Sequence, residues 1–257
     1  MKSDAVTSDR ILQALNNGEF EPYIQPVVNA SDLSVSGGEL LVRWHTPAGE
    51  IIPPARFIAH VETLGMLSNL TQKMVRQSAS RFAGMKMMPL QGFRLAVNVT
   101  PMLLADRDFV QMCLALANEN GIHLVLELTE QRLFSETDSM MRNLDRLSDV
   151  GVEFALDDFG TGHSVLSYLK YFPINYIKID KIFIQDVLWE KKSMHIVESV
   201  VFLAEKLGVN TVAEGVETLE QVTCLQKLGI YYFQGYYFGK PQMLFEFCKK
   251  MSNKYMK

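Results

Sequence analysis

Two periodicities alternate along the chain. Segments with apolar residues every three or four positions are repeatedly stopped by a glycine, and a β-rich run begins at once: Gly121-Ile122, Gly151-Val152, Gly208-Val209 and Gly229-Ile230. Glycine suits the left-handed position just past a helix, so each pair marks a helix-to-strand junction. Before Gly151, Ser135-Glu-Thr-Asp138 reads as an N-cap, and Met141, Leu144, Leu147 and Val150 follow at helical spacing. Before Gly208 the apolar face is Ile196, Val197, Val200, Val201 and Leu207; before Gly229 it is Leu219, Val222, Leu225 and Leu228. The β-rich runs are Pro22 to Val28, Val35 to Trp44, Leu95 to Val99, Leu124 to Thr129, Val152 to Asp158, Tyr176 to Ile179, Thr211 to Gly215 and Tyr231 to Gln234. Strands alternating with helices predict a mainly parallel sheet, and eight such units fit a closed (β/α)8 barrel, with a doubly wound open sheet as the alternative. Residues 1–18, carrying Ile11, Leu12 and Leu15, are expected to form a helix covering one end of the barrel, and 19–257 a single domain, since no linker-like tract divides the chain.

Composition narrows the class. Of 257 residues, 48% are hydrophobic and 21% charged, enough for a core and against disorder. Asp and Glu number 29 against 25 Lys and Arg, a net charge of -4, which gives no general attraction for polyphosphate and argues against non-specific nucleic-acid binding. No apolar run reaches the roughly 18–20 residues of a membrane span and no leader is evident, so a cytoplasmic protein is expected. Cys113, Cys224 and Cys248 are odd in number and lack metal-binding or redox spacing; His45, His60, His123, His163 and His195 lack it too. Buried thiols and structural or exposed histidines are expected.

Parallel strands covered on both faces should read as continuous apolar runs, yet these are interrupted again and again by polar residues. Glu39, Asn98, Glu127, Lys178, Glu214 and Gln234 each break a β-rich run, and Asp157 and Asp158 end another. Side chains alternate across a strand, so apolar neighbours such as Leu126 and Leu128, or Ile177 and Ile179, face the helices and turn Glu127 and Lys178 toward the barrel axis. Most of these residues stand near strand C-termini, where barrels build their sites. Taken singly, Lys178 reads equally well as an interior ion pair and Asp157 as a helix cap; eight polar residues on seven strands read as one pocket. Five carboxylates against one lysine cannot gather uncompensated, because two like charges at about 4 Å repel by roughly 4 kcal/mol at an effective dielectric of 20. Two divalent cations would balance the set, and an oxygen-only donor set selects hard ions such as Mg²⁺, Mn²⁺ or Ca²⁺ over zinc.

The motifs resemble those of the EAL-domain family of cyclic di-GMP phosphodiesterases from about Leu15 to about Met243. They are Tyr23-Ile-Gln25-Pro26, Glu39-Leu40-Leu41-Val-Arg43-Trp44, Val97-Asn98-Val99, Glu127-Leu-Thr-Glu130, Asp157-Asp158-Phe159-Gly160-Thr161-Gly162, Lys178-Ile179-Asp180, Ala213-Glu214-Gly215-Val216-Glu217-Thr218 and Gln234-Gly235-Tyr236. The resemblance implies a barrel with one antiparallel strand, the first, and a homodimer. It implies metal ligation by Glu39, Asn98, Glu127 and Asp157, with Asp158 joining at a second ion; two Mg²⁺ or Mn²⁺ ions are expected, with Ca²⁺ binding but not supporting turnover. Lys178 and Glu214 resemble the residues that hold and polarise the attacking water, Glu214 being the candidate base with Asp158 as alternative. Gln234 matches a position that holds the water, a second ion or substrate, and Gln25, Leu41 and Arg43 match substrate contacts, Arg43 being suited to a phosphate oxygen by its planar donor fork. Glu130 is similar to the glutamate that steadies the loop after Asp158. Leu40, His163 and Val165 depart from the family pattern; the first is a packing change, and the others bear on the loop. The implied reaction is in-line attack of water on one phosphorus of cyclic di-GMP, giving linear pGpG. Two rival readings are a catalytically weak EAL module that acts as a receptor or protein-binding regulator, and a barrel hydrolase for another phosphate ester.

Overall fold

A computed structural model of the chain describes residues 6–84, 92–117, 122–129, 138–161 and 168–255. Among the described residues there are ten strands: β1 (Phe20–Asn29), β2 (Val35–His45), β3 (Ile51–Ile52), β4 (Phe93–Val99), β5 (Ile122–Thr129), β6 (Glu153–Phe159), β7 (Tyr176–Ile179), β8 (Asn210–Ala213), β9 (Tyr232–Gln234) and β10 (Gln242–Met243). They form one sheet in the order β10-β1-β9-β8-β7-β6-β5-β4-β2-β3, with β1 also pairing β2. Two compact units are distinguished: Met1–Ile24, Leu40–Pro89 and Pro241–Lys257 make the first, and Gln25–Glu39 with Leu90–Lys240 the second.

The second unit carries the barrel. Strands β4 to β9 run parallel, each to the next, and β9 meets β1 antiparallel, with Val27 opposite Gln234 and Asn29 opposite Tyr232. The β1–β2 pairing closes the ring, which rules out the open doubly wound sheet. The eight expected strands are all present, their ends shifted by a residue or two, and the first is antiparallel to its neighbour as expected. Inside, Ala96, Val125, Ala155, Tyr176 and Val212 form a buried layer against Tyr232. Backbones crowd at Gly37: a Cβ there would sit 2.4 Å from the Arg94 carbonyl oxygen, so only glycine fits where β2 passes β4.

The glycine punctuation holds at Gly208 (φ 70°) and Gly229 (φ 87°), both left-handed C-caps of Lys191–Leu207 and Leu219–Leu228. Thr218 and Gln221 close a capping box at the start of the latter helix. The buried faces are narrower than the spacing predicts. Val197, Val200, Val222 and Leu225 are buried, whereas Ile196, Leu207 and Leu219 are exposed, the last two at helix ends. In Asp138–Asp149 the face is Met140, Leu144 and Leu147; Val150 lies past the helix end and is exposed. The Gly121 junction and the cap at Ser135 lie outside the described residues.

In the first unit, helix Ser8–Asn17 is capped by Thr7, whose side chain accepts from the Arg10 amide, and ended by Gly18 at φ 71°. Ile11, Ala14 and Leu15 are buried, Leu12 exposed. Phe20, Trp44 and Phe57 pack with ring centroids 5.2–5.9 Å apart. The pairs β2–β3 and β1–β10 are antiparallel. All three cysteines are free, Cys113 and Cys248 buried and Cys224 half-buried. Among the described residues no helix is long and apolar enough to cross a membrane.

Candidate functional site

A period of two places the site. The interior layer residues Ala96, Val125, Ala155, Tyr176, Val212 and Tyr232 are each followed two positions later by Asn98, Glu127, Asp157, Lys178, Glu214 and Gln234. Side chains two apart on a strand share a face, so six polar groups stand one layer above an apolar floor, at the C-terminal ends of parallel strands. β1 runs the other way, and there the matching residue precedes its layer partner: Gln25 stands two positions before Val27. On β2, Glu39 follows Gly37 by two.

Lys178 is the centre. Its Nζ lies 2.9 Å from Glu127 Oε1, 3.0 Å from Asp157 Oδ1 and 2.7 Å from Glu214 Oε1, and its side chain is only 3% exposed. Beside it, Glu39 accepts from Asn98 Nδ2 at 2.6 Å and from Gln234 Nε2 at 2.7 Å; Gln234 Nε2 lies 3.4 Å from Gln25 Oε1, and Gln25 Nε2 donates to the Gly239 carbonyl at 3.3 Å. Asn98 is exposed while Glu127, Asp157 and Gln234 are buried.

Asp157 and Asp158, as consecutive strand residues, should face opposite ways. The β6–β7 register slips between Leu156 and Phe159, and Asp158 sits at φ 54°, in the left-handed region. This bulge lets both carboxylates approach one point: single oxygens of Asp157, Asp158 and Glu214 all lie within 4.8 Å of one another. Left-handed backbone costs a non-glycine residue of order 1 kcal/mol, and here it coincides with an acidic cluster.

The electrostatics are those of an acidic pocket in which one lysine faces several carboxylates. Burial pushes Glu127 well above the usual carboxylate range; Lys178 opposes this, while Glu39 and Asp157 add to it. Glu214 is pushed up to about 8, again chiefly by burial, with Asp157 and Glu39 contributing against Lys178. Asp158 rises to about 6 through burial, Asp157 and Asp180. Burial would lower Lys178, but Asp157, Glu127 and Glu214 outweigh it and hold the ammonium charged. Among the described residues, the buried Oε2 of Glu127 and Oε1 of Gln234 have no protein partner. A buried acceptor without a donor is costly. Orphaned oxygens, an excess of carboxylates and an oxygen-only donor set together fit a hard divalent cation, with Glu39, Asn98, Glu127, Asp157, Asp158 and Glu214 as available donors.

Of the residues singled out in the sequence, Glu39, Asn98, Glu127, Asp157, Asp158, Lys178, Glu214, Gln234 and Gln25 thus stand in the second unit around one site. Leu41 and Arg43 belong to the first unit, where the Arg43 guanidinium lies 5.5 Å from the Tyr23 ring centroid and donates to the Val42 carbonyl at 2.9 Å. Glu130, His163 and Val165 lie outside the described residues. Asp180 stands two positions beyond Lys178, helps to raise the Asp158 carboxyl by its neighbouring charge, and caps helix Lys181–Gln185 by accepting from the Ile182 amide at 2.8 Å. Its spacing from Lys178 was the available signal.

The sequence profile of the family described as EAL domain matches residues 8–241. Cyclic di-GMP phosphodiesterase PdeL of Escherichia coli K12 is 40% identical over 239 residues, covering 92% of this chain and 66% of PdeL. The chain spans about half the length of two further curated E. coli relatives. Among solved structures, the EAL enzyme Bd1971 in its cAMP- and cyclic-di-GMP-bound form superposes with a TM-score of 0.82 at 31% identity, over 95% of this chain and 68% of that one. The PaMucR phosphodiesterase in complex with c-di-GMP gives 0.81 at 30% identity, over 93% of this chain and 98% of that one.

Proposed function

The chain belongs to the EAL domain family, and from that premise we propose that it is a metal-dependent phosphodiesterase that opens cyclic di-GMP to linear pGpG. The observation that carries this reading is the convergence of Glu127, Asp157 and Glu214 from three parallel strands on the buried Lys178 ammonium, beside the Glu39–Asn98 pair, with the buried Oε2 of Glu127 left without a protein donor among the described residues. Segment 19–257 acts as one catalytic domain with the first helix attached.

Glu39, Asn98, Glu127 and Asp157 would hold one Mg²⁺ or Mn²⁺ ion, and Asp158 would join at a second. When bound, such ions lower the pKa of a water and neutralise charge on the phosphate. Lys178 steadies that water and fixes Glu127, Asp157 and Glu214. Glu214 is held protonated up to about 8 by its burial; with cations bound beside it, it would ionise near neutral pH and accept the proton, with Asp158 as the alternative acceptor. Gln25, Leu41, Arg43 and Gln234 contact substrate, Arg43 offering paired donors to a phosphate oxygen. Glu130 steadies the segment that follows Asp158. Ca²⁺ occupies the site without supporting turnover. The full complement of donors favours an enzyme over a receptor.

A homodimer in the cytoplasm completes the reading. The exposed Tyr171, Ile182 and Phe202 offer apolar area for self-association, and sedimentation at micromolar concentration should give twice the chain mass; a monomer at all concentrations would refute it. For the reaction, purified protein with Mg²⁺ should convert cyclic di-GMP to pGpG, and a generic diester such as bis-p-nitrophenyl phosphate much more slowly. Equal turnover of the two would replace this reading with an unspecific barrel hydrolase, and Glu39→Ala retaining near-wild-type rate would contradict the ligand assignment.

A further inference from the structure

One buried carboxylate plays no part in the mechanism. Glu19 follows the N-terminal helix directly and is 9% exposed. Its two oxygens accept from Arg10 Nη1 at 3.1 Å and, more closely, from Arg10 Nη2, from Trp44 Nε1 at 2.8 Å and from Asn17 Nδ2 at 3.2 Å. Its backbone carbonyl accepts from the His45 amide at 2.7 Å. Four side-chain donors on one carboxylate are more than a stabilising surface pair needs. Three of these donors, on Arg10 and Asn17, belong to helix Ser8–Asn17, and Trp44 with His45 belongs to the end of β2. The Arg10 guanidinium also lies 5.0 Å from the Trp44 ring centroid. One residue before Trp44 stands Arg43, over the ring of Tyr23, whose hydroxyl lies 3.1 Å from His45 Nε2. Burial raises the Glu19 carboxyl, but the bonds from Arg10, Trp44 and Asn17 outweigh it and hold it below the usual carboxylate range. The carboxylate therefore stays charged across the working pH range.

We propose that Glu19 is a positioning residue that latches the N-terminal helix to the Leu41–Arg43 segment of β2, so that the placement of this helix sets affinity for the phosphate of the substrate. All the groups involved lie in the first unit. The helix is thereby an input point: whatever displaces Arg10 loosens Trp44 and, with it, the strand segment next to it. The latch acts on binding and leaves the chemistry around Lys178 alone, so KM and kcat should separate. The substrate half of this inference rests on the phosphodiesterase reading above; the latch itself does not.

The test uses Glu19→Gln, Arg10→Met and Arg10→Lys in the full chain, assayed with cyclic di-GMP and Mg²⁺ well below the melting temperature. Glu19→Gln and Arg10→Met should raise KM at least tenfold with kcat within threefold, and Arg10→Lys should recover part of the loss. In parallel, Trp44 emission is followed in a Trp189→Phe background, which removes the other tryptophan. It should shift to the red in Arg10→Met, because Trp44 is buried and loses its covering guanidinium. A lower melting temperature with unchanged KM would reduce Glu19 to a stabilising ion pair and overturn the proposal, as would a loss confined to kcat. Should Glu19→Gln fail to fold, the Arg10 pair decides. If the wild-type protein turns over no cyclic di-GMP, the phosphodiesterase reading fails first. The latch is then judged on emission alone: a red shift in Arg10→Met sustains it and unchanged emission overturns it.

Discussion

Replacing Lys178 by methionine keeps the bulk of the side chain and removes the charge that three carboxylates share. At about 3 Å and an effective dielectric of 20, each of the three ion pairs is worth about 5 kcal/mol of Coulomb energy before desolvation is counted. Burial of the ammonium and the carboxylates cancels much of this sum, and removing one partner of a buried pair costs about 3–5 kcal/mol in practice. That is a large share of the 5–15 kcal/mol that holds a domain together. The sign with pH follows from the same geometry. Without Lys178, Glu127 and Glu214 lose their one lowering influence, so their folded-state values rise further above the unfolded ones. Stability from such groups is fully present below the unfolded value and is lost as pH rises through the folded one. In EDTA, urea denaturation should therefore find Lys178→Met about 3–5 kcal/mol less stable than wild type at pH 8.5 and less than half that at pH 5.5. A variant within 1 kcal/mol of wild type at pH 8.5 would show that the ammonium does not hold this cluster together.

Wild-type protein in EDTA should itself lose stability as pH rises through about 8, because Glu214 must ionise there, and saturating Mg²⁺ should flatten that slope in thermal melts. Asp158→Gly should gain about 1 kcal/mol in urea denaturation by relieving the left-handed backbone while turnover falls at least a hundredfold, separating strain from function. Gly235→Ala should destabilise by several kcal/mol, since its Cβ would lie 2.0 Å from the Val216 carbonyl oxygen and force the two segments flanking Gln234 and Glu214 apart. Leu33→Gly, at φ 58° in the loop between β1 and β2, should stabilise by about 0.5–1 kcal/mol and leave activity unchanged.

How far these features can be read in the sequence depends on whether a side-chain pattern encodes them. The barrel strands announce themselves because two covered faces demand apolar runs, and the same demand makes Glu127 or Lys178 conspicuous. β3 and β10, two residues each, carry no period and leave no trace. Helix faces are legible in their middle turns and misleading at their ends, where Leu207 and Leu219 meet solvent despite their spacing. Within the site, alternation identifies which residues converge, but partner choice is a matter of tertiary distance. Nothing in the sequence says that Lys178 is spent on three carboxylates, or that Asn98 and Gln234 both serve Glu39. The adjacent pair Asp157-Asp158 contradicts alternation outright, and the β6 bulge resolves it through backbone conformation. The Glu19 latch was hidden for a related reason: Arg10, Glu19 and Trp44 belong to no shared periodicity and meet only when a helix and a strand end pack together.

On the proposed reading, dispersed carboxylates gather hard cations and this assembly cleaves cyclic di-GMP. Its most direct test is product formation, followed chromatographically on one sample carried through chelation and add-back. Conversion to pGpG should stop in EDTA and resume with excess Mg²⁺ or Mn²⁺ but not Ca²⁺; conversion that continues unchanged through chelation would contradict the account.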